Sequence, residues 1–364
     1  MTTFKDVEKT YRKWLYLDHD PDILRIVFGI VVANRYKGPA VWGMLVGPSG
    51  GGKTALVSGL KGAYECNVIS SMTAASFGSG NTGTSFLDDV NESVLVMTDF
   101  STISSLPREQ KGAVFSILRE VYDGEYQRRT GKSAEPIVWK GKVGMLACAT
   151  SKGAEKDIVD GQELGERMLV IRLRVTQESL ANIVDAAYDS GSKLETQVEE
   201  LEEVTSEFLD NFQEDESIEP SNVVAARIKM ISRAASVGRS GVIRDRYTQH
   251  ITFPVDEMME APGRLVKQFK MLATGLQAIG SDDETVMRIL RRIGQDCLPI
   301  KRLKVLRGLS NGSTTQASLA RSLNVSPQVA MRTVEELKLL GIVDRGRRGG
   351  LQIVNPAILD VFGG

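Results

Sequence analysis

The segment Gly47-Pro48-Ser49-Gly50-Gly51-Gly52-Lys53-Thr54 stands between a nearly all-apolar run, Val41-Trp42-Gly43-Met44-Leu45-Val46, and a helical opening, Thr54-Ala55-Leu56-Val57. Such a run reads as a strand buried on both faces of a parallel sheet, since a half-exposed strand would alternate with polar residues. The segment fits G-x-x-x-x-G-K-[ST] in full, and the strand before it and the helix after it supply the context that the pattern requires. Its four glycines let backbone N–H groups turn inward around phosphates, and the helix N-terminus adds its dipole. Lys53 is expected to reach the β and γ phosphates and Thr54 to offer its hydroxyl to Mg²⁺. A turn that binds nothing has no use for Lys followed by Thr at that offset. The ligands implied for residues 47–54 are therefore ATP and Mg²⁺.

Two similar apolar runs come later, Val94-Leu95-Val96-Met97 and Val143-Gly144-Met145-Leu146-Ala147-Cys148. With helical patterns between them, they predict an α/β domain with a mostly parallel sheet. A carboxylate at the end of a neighbouring strand would hold Mg²⁺ through its water shell, and Thr98-Asp99 supplies it in Asp99. Phe100 then occupies the place where a water-activating glutamate is common. With the register moved by one, Asp99 becomes the water-activating acid and Thr98 takes the metal position. Either way one carboxylate of the pair is missing, which predicts slow hydrolysis or help from another residue.

Upstream, Ile23, Leu24, Val27, Ile30 and Val31 recur at helical spacing after Asp20-Pro21, which suits a helix start. Downstream, the stretch from Lys193 to Glu219 carries eleven acidic residues and one lysine, with an apolar stripe through Leu194, Val198, Leu201, Phe208 and Phe212. That is an amphipathic helix with a solvated face, joining the core to the helical segments beyond Pro220. The 364 residues carry 45 Lys+Arg against 46 Asp+Glu, so any preference for nucleic acid must be local. Cys66, Cys148 and Cys297 are far apart and only His19 and His250 could join them, which argues against a zinc site or a disulfide framework. The apolar stretch Ile26 to Ala33 is far shorter than the roughly 20 residues of a membrane span, and the expectation is a cytosolic protein with no membrane partner.

A helix over Gly112 to Tyr122 leads into Asp123-Gly124-Glu125-Tyr126-Gln127-Arg128-Arg129, then Thr130-Gly131-Lys132 and the strand Ile137-Val138-Trp139. This order resembles the AAA+ ATPases of the pre-sensor-1 hairpin branch, the minichromosome maintenance helicases and bacterial enhancer-binding activators. There, a helix ending in an Asp/Glu-Gly turn enters a β-hairpin ahead of the sensor-1 strand. The resemblance covers most of the chain, which also looks like uncharacterised ATPases of phages and integrated elements. It implies that the strand Val143 to Ala149 ends in a sensor-1 position at Thr150, where those families commonly carry asparagine. It implies an arginine finger within Leu164 to Arg172, for which Arg167 is the candidate and Arg172 and Arg174 are weaker ones. A finger inserted in trans requires a ring, expected to be a hexamer. Glu260 to Gln268 resembles the start of a lid helix whose sensor-2 arginine would be Arg264, with lid helices over Gly263 to Ile279 and Asp283 to Ile293.

From Leu303 the pattern is helix, turn, helix, turn, helix, then Gly341-Ile342-Val343 and the basic tip Arg345-Gly346-Arg347-Arg348-Gly349-Gly350. This is a winged-helix pattern, with Ser326 capping its third helix and Pro327 at that helix's first position. From Ile300 to Gly364 there are ten Lys+Arg and four Asp+Glu, a local excess that favours contact with DNA phosphates. Ser326, Gln328, Arg332 and Thr333 would meet the major groove, Glu335 and Glu336 would face away, and Arg345, Arg347 and Arg348 would lie on the wing. A winged helix used for protein contacts is the alternative. Arg128, Arg129, Lys132 and Lys140 of the hairpin either track a nucleic-acid backbone or form a solvated turn.

The expected architecture is α/β: an AAA+ core with a parallel sheet over 1–175, an acidic helical connector and lid over 176–298, and a winged-helix domain over 299–364. The expected function is a DNA-associated, ring-forming ATPase that remodels DNA, as in replication initiation, helicase loading or unwinding. A nucleotide-switched transcription regulator and a protein remodeller, with the loop Gly78 to Gly83 as its grip, are the alternatives.

Overall fold

The computed structural model describes residues 2–77, 86–128, 137–151, 164, 167–245, 247, 261–347 and 349–362. Its centre is a five-stranded sheet in the order β2 (Cys66–Ile69), β3 (Ser93–Met97), β6 (Val143–Thr150), β1 (Trp42–Gly47) and β7 (Leu169–Arg172), with every pair parallel. All six residues of β1 are buried, as a central strand covered on both faces must be. A short antiparallel pair, β4 (Glu125–Arg128) with β5 (Ile137–Lys140), stands apart from this sheet.

The helix Ile23–Ala33 is apolar and buried at every position but Arg25, which pairs with Glu8 at 2.8 Å, as befits a helix covered on most sides. It lies directly on the sheet. A Cβ on Gly43 would come within 2.5 Å of Ile30 Cδ1, and one on Gly144 would meet Asn34, so these strand glycines permit the close approach. Asn34 joins the layers by donating to the Ile30 and Val41 carbonyls at 2.8 and 3.0 Å and accepting from the Val41 N–H at 2.9 Å. On the other side of this helix packs Gly263–Ala278, where a Cβ on Gly275 would come within 2.2 Å of the Gly29 carbonyl. Gly275→Val is therefore expected to lower stability by about 1–3 kcal/mol through overpacking, read as a lower denaturant midpoint with an unchanged slope.

The acidic helix Leu194–Asp210 buries Leu201, Val204 and Phe208 against the N-terminal helix Phe4–Trp14 and the short helical turn Gly59–Gly62. A Cβ on Gly62 would sit 2.4 Å from the Glu202 carbonyl, so backbone meets backbone there. Lys13 and Trp14 Nε1 both donate to Glu200, and Arg35 donates to the Leu209 and Phe212 carbonyls.

A buried ionic network ties the segment before Ile23 to later helices. Arg292, on the helix Asp283–Asp296, pairs in bidentate fashion with Asp20, their side chains being 2% and 1% exposed. Arg292 also donates to the Arg172 carbonyl at 3.0 Å, and Asp296 accepts from the Arg172 N–H at 3.0 Å. Beyond it, the helices Ile300–Ser310, Gln316–Ser322 and Pro327–Leu339 and the antiparallel hairpin β8 (Val343–Arg345) and β9 (Leu351–Ile353) form a small terminal unit, and the helix Pro356–Phe362 that follows packs chiefly on the helix Asn222–Arg239. Ser326 caps the third of these, accepting from the Val329 N–H at 3.3 Å, with Pro327 at its first position. No helix among the described residues is long and apolar enough to cross a membrane.

Candidate functional site

The loop 47–54 leaves β1 at the carboxyl edge of the sheet, where open parallel sheets offer crevices to ligands. Gly50 and Gly52 take φ of +73° and +78° and a Cβ on either would meet nothing within 4 Å, so the loop is a bare backbone cradle that only glycine adopts without strain. Ser49, Gly50 and Thr54 are exposed, and Lys53 opens the helix Lys53–Ser58. The Lys53 ammonium folds back onto the loop, donating to the Gly47 carbonyl at 3.1 Å and the Pro48 carbonyl at 2.6 Å. Burial pushes its pKa down, against the neighbouring Cys148 and the Asp99 carboxylate, which pull it up. A partly desolvated ammonium held by two carbonyls gains from an incoming anion.

Asp99 lies past the end of β3. The ladder slips there: the Thr98 N–H bonds the Ile69 carbonyl at 3.0 Å on one side, and the Phe100 N–H bonds the Cys148 carbonyl at 2.8 Å on the other. Asp99 between them is exposed and accepts from the Ser101 N–H at 2.9 Å, leaving lone pairs for a metal-bound water. Phe100 is fully buried and stacks on Phe115 at 6.1 Å. In either register of the acidic strand, then, Phe100 is withdrawn from the ligand side while Asp99 is accessible. Thr150, half-buried at the end of β6, lies beside Gly47 in the sheet register. Because β6 runs between β1 and β3, Thr150 stands between the strand carrying the loop and the strand carrying Asp99. Cys148, on the same strand, sets its thiol 3.8 Å from the Lys53 carbonyl, and burial raises its pKa to about 12.

The two candidate arginines meet elsewhere. Arg167 pairs with Asp123 at 2.8 Å, its side chain 12% exposed and its guanidinium over the Tyr122 ring. Arg264, 41% exposed, approaches the other oxygen of Asp123 at 3.9 Å. Asp123 is the C-cap of the helix Arg108–Tyr122; the Asp-Gly turn was readable in the sequence, but its role as a common partner of residues 44 and 141 positions away was not. Arg172 is fully engaged, its Nε and guanidinium donating to the Asp296 and Leu298 carbonyls at 3.1 and 3.0 Å. Arg174 is exposed at the end of β7.

Among the groove candidates, Gln328 and Arg332 are exposed on the helix Pro327–Leu339, as are Arg345 and Arg347 on the hairpin β8–β9. Thr333 is 4% exposed and donates its hydroxyl to the Val329 carbonyl at 2.9 Å, so it faces the terminal unit's core. Met331, which the pattern did not single out, is exposed beside Gln328. Glu335 and Glu336 face Arg244, and Glu336 also pairs with Arg302. On the other hairpin, Arg128 is exposed and Lys140 pairs with Glu125 across the strands at 3.2 Å. Arg129, Lys132, Arg348 and the loop Gly78 to Gly83 lie outside the described residues. Compared with known proteins, the chain matches no family model and no curated protein.

Proposed function

We propose that this chain is an AAA+ ATPase that binds MgATP in the loop 47–54, assembles into a ring and acts on DNA through its C-terminal winged helix. The observation that carries the reading is the juxtaposition at one sheet edge of the open glycine loop, the inward-folded Lys53, Asp99 and Thr150. On a triphosphate, Lys53 exchanges the Gly47 and Pro48 carbonyls for the β and γ phosphates. Backbone N–H groups of residues 50–54 surround the phosphates, and the Thr54 hydroxyl and Asp99 orient Mg²⁺ and its water shell. MgATP would supply the transferable phosphoryl group, and Thr150, beside Gly47 in the sheet register, would hold its γ-oxygen or the attacking water.

Arg167 and Arg264 converge on one carboxylate, Asp123, which favours their acting together on one neighbour's nucleotide. Asp123 keeps them in place until that neighbour arrives. The terminal unit brings exposed Arg332, Arg345 and Arg347 to one end of the chain, supporting contact with DNA phosphates. A slow nucleotide switch that regulates transcription is the second reading, favoured by the burial of Phe100 where an acid would speed hydrolysis.

The test is the mass of the protein with and without MgATP, with turnover measured alone and with single- or double-stranded DNA. Expected are ATP-dependent assembly and DNA-stimulated turnover; turnover indifferent to DNA with specific duplex binding identifies the switch. Arg167→Ala should bind ATP normally yet lose about 10³-fold in turnover. Mixing it with Lys53→Ala should restore part of the activity, because one of the two kinds of mixed interface joins an intact loop to an intact arginine. A chain that stays monomeric when saturated with MgATP overturns the proposal.

A further inference from the structure

A second polar crevice, separate from the loop 47–54, opens where β7, the helix Asp283–Asp296 and the terminal unit meet. It encloses about 370 Å³, and five arginines, Arg174, Arg288, Arg291, Arg292 and Arg307, form its wall. The rest of the lining is amide, hydroxyl and the Phe362 ring, with no carboxylate. The carboxylates behind the wall are already committed: Asp20 to Arg292, Asp22 to Arg288, and Asp296 to Arg292 and the Arg172 N–H. Among the described residues no carboxylate pairs with the Arg174 guanidinium. The nearest carboxylate oxygen to Arg307 is 3.9 Å away on the buried Asp296, and Arg174, Arg172 and Arg292 all press on Arg307 with like charge. The Nε of Arg292, on a side chain 2% exposed, makes no hydrogen bond within the described residues and faces Asp296 at 3.7 Å.

Like charges held together around a concave space with few counter-ions are costly unless an anion joins them. Guanidinium forks match phosphate oxygens in pairs, and the crevice has room for a diphosphate group. We propose that this crevice binds a phosphate-bearing anion, held chiefly by Arg174 and Arg307, with Ser310 and Asn311 as neutral donors. The anion would bridge the end of β7, the helix 283–296 and the terminal unit, so its arrival would stiffen the junction between them. No residue of the loop 47–54 lines the crevice, so the site stands whether or not that loop binds ATP.

The test is binding of inorganic pyrophosphate to the full chain in a Lys53→Ala background, followed by ³¹P line broadening and by melting temperature at constant ionic strength. Pyrophosphate is expected to bind and raise the melting temperature. Arg174→Gln and Arg307→Gln should each weaken binding by on the order of 10-fold or more, leaving the melting temperature without pyrophosphate at or above its parent's value. Lysine at either position should recover part of the affinity. A dT oligonucleotide titrated into the same variants separates the sources: parallel loss of its binding assigns a nucleic-acid backbone, and unchanged binding beside lost pyrophosphate assigns a free anion. If pyrophosphate fails to bind, binds both glutamine variants as it binds the parent, or stabilises no more than chloride does, the proposal is overturned.

Discussion

Lys53→Ala is expected to reduce ATP turnover by about 10²–10³-fold, the usual loss when one preorganised charge at a transferring phosphoryl group is removed, while the fold is left intact. The second half of that expectation rests on the contacts of Lys53. Among the described residues its ammonium donates to two loop carbonyls, Gly47 and Pro48, and Pro48 is exposed, so water replaces it and stability moves by no more than about 0.5 kcal/mol. Arginine is not expected to substitute, because a planar fork does not reach the phosphates as a point charge does. The measurements are steady-state turnover and nucleotide affinity beside a melting curve. Full turnover in Lys53→Ala would remove the loop from the chemistry.

Arg292→Ala should have the largest effect on stability. It strips the charge partner from Asp20 and Asp296, both buried, and breaking a buried pair from one side costs about 3–5 kcal/mol. In a chain of this size that corresponds to a melting temperature lower by about 5 °C. The loss should depend on pH. Burial raises the Asp296 carboxyl above its ordinary value, and Arg292 is the strongest influence lowering it, so removing Arg292 raises it further. A carboxyl whose pKa is higher folded than unfolded binds more protons when folded, and stability then falls as pH rises through the interval between the two values. The penalty should therefore be smaller in mild acid than at neutral pH, seen as melting curves of variant and parent converging as pH is lowered. A penalty independent of pH would mean that packing, rather than the stranded carboxylates, is responsible.

Features local in the chain were legible in the sequence. The loop 47–54 is eight consecutive residues whose chemistry is explicit, and the runs ending at Val46, Met97 and Cys148 are strands because they are too uniformly apolar to face water. The helix Ile23–Ala33 and the helices of the terminal unit were legible by their period and their caps. The edge strand Cys66–Ile69 was not, since one buried and three half-buried residues carry too little pattern, nor was the helix Gln177–Gly191, whose Leu180, Val184 and Tyr188 are exposed. Long-range pairing was also invisible. Nothing local in the chain announces that Arg167 and Arg264 share Asp123, that Arg172 is committed to Asp296 and Leu298, or that five arginines surround one crevice. Thr333 shows the limit of position alone: one residue past Arg332 on the same helix, it turns inward, because successive residues are about 100° apart around the axis.

If the chain hydrolyses ATP as proposed, the stacked ring of Phe100 bears on any attempt to make it faster. Writing a glutamate into that position would not restore the missing acid, since its side chain would enter the apolar layer against Phe115 and be held protonated by burial, unable to draw a proton from water. The backbone slip between Thr98 and Phe100 points that side chain inward, so acceleration would require rebuilding the turn, and selection working one residue at a time meets a barrier there.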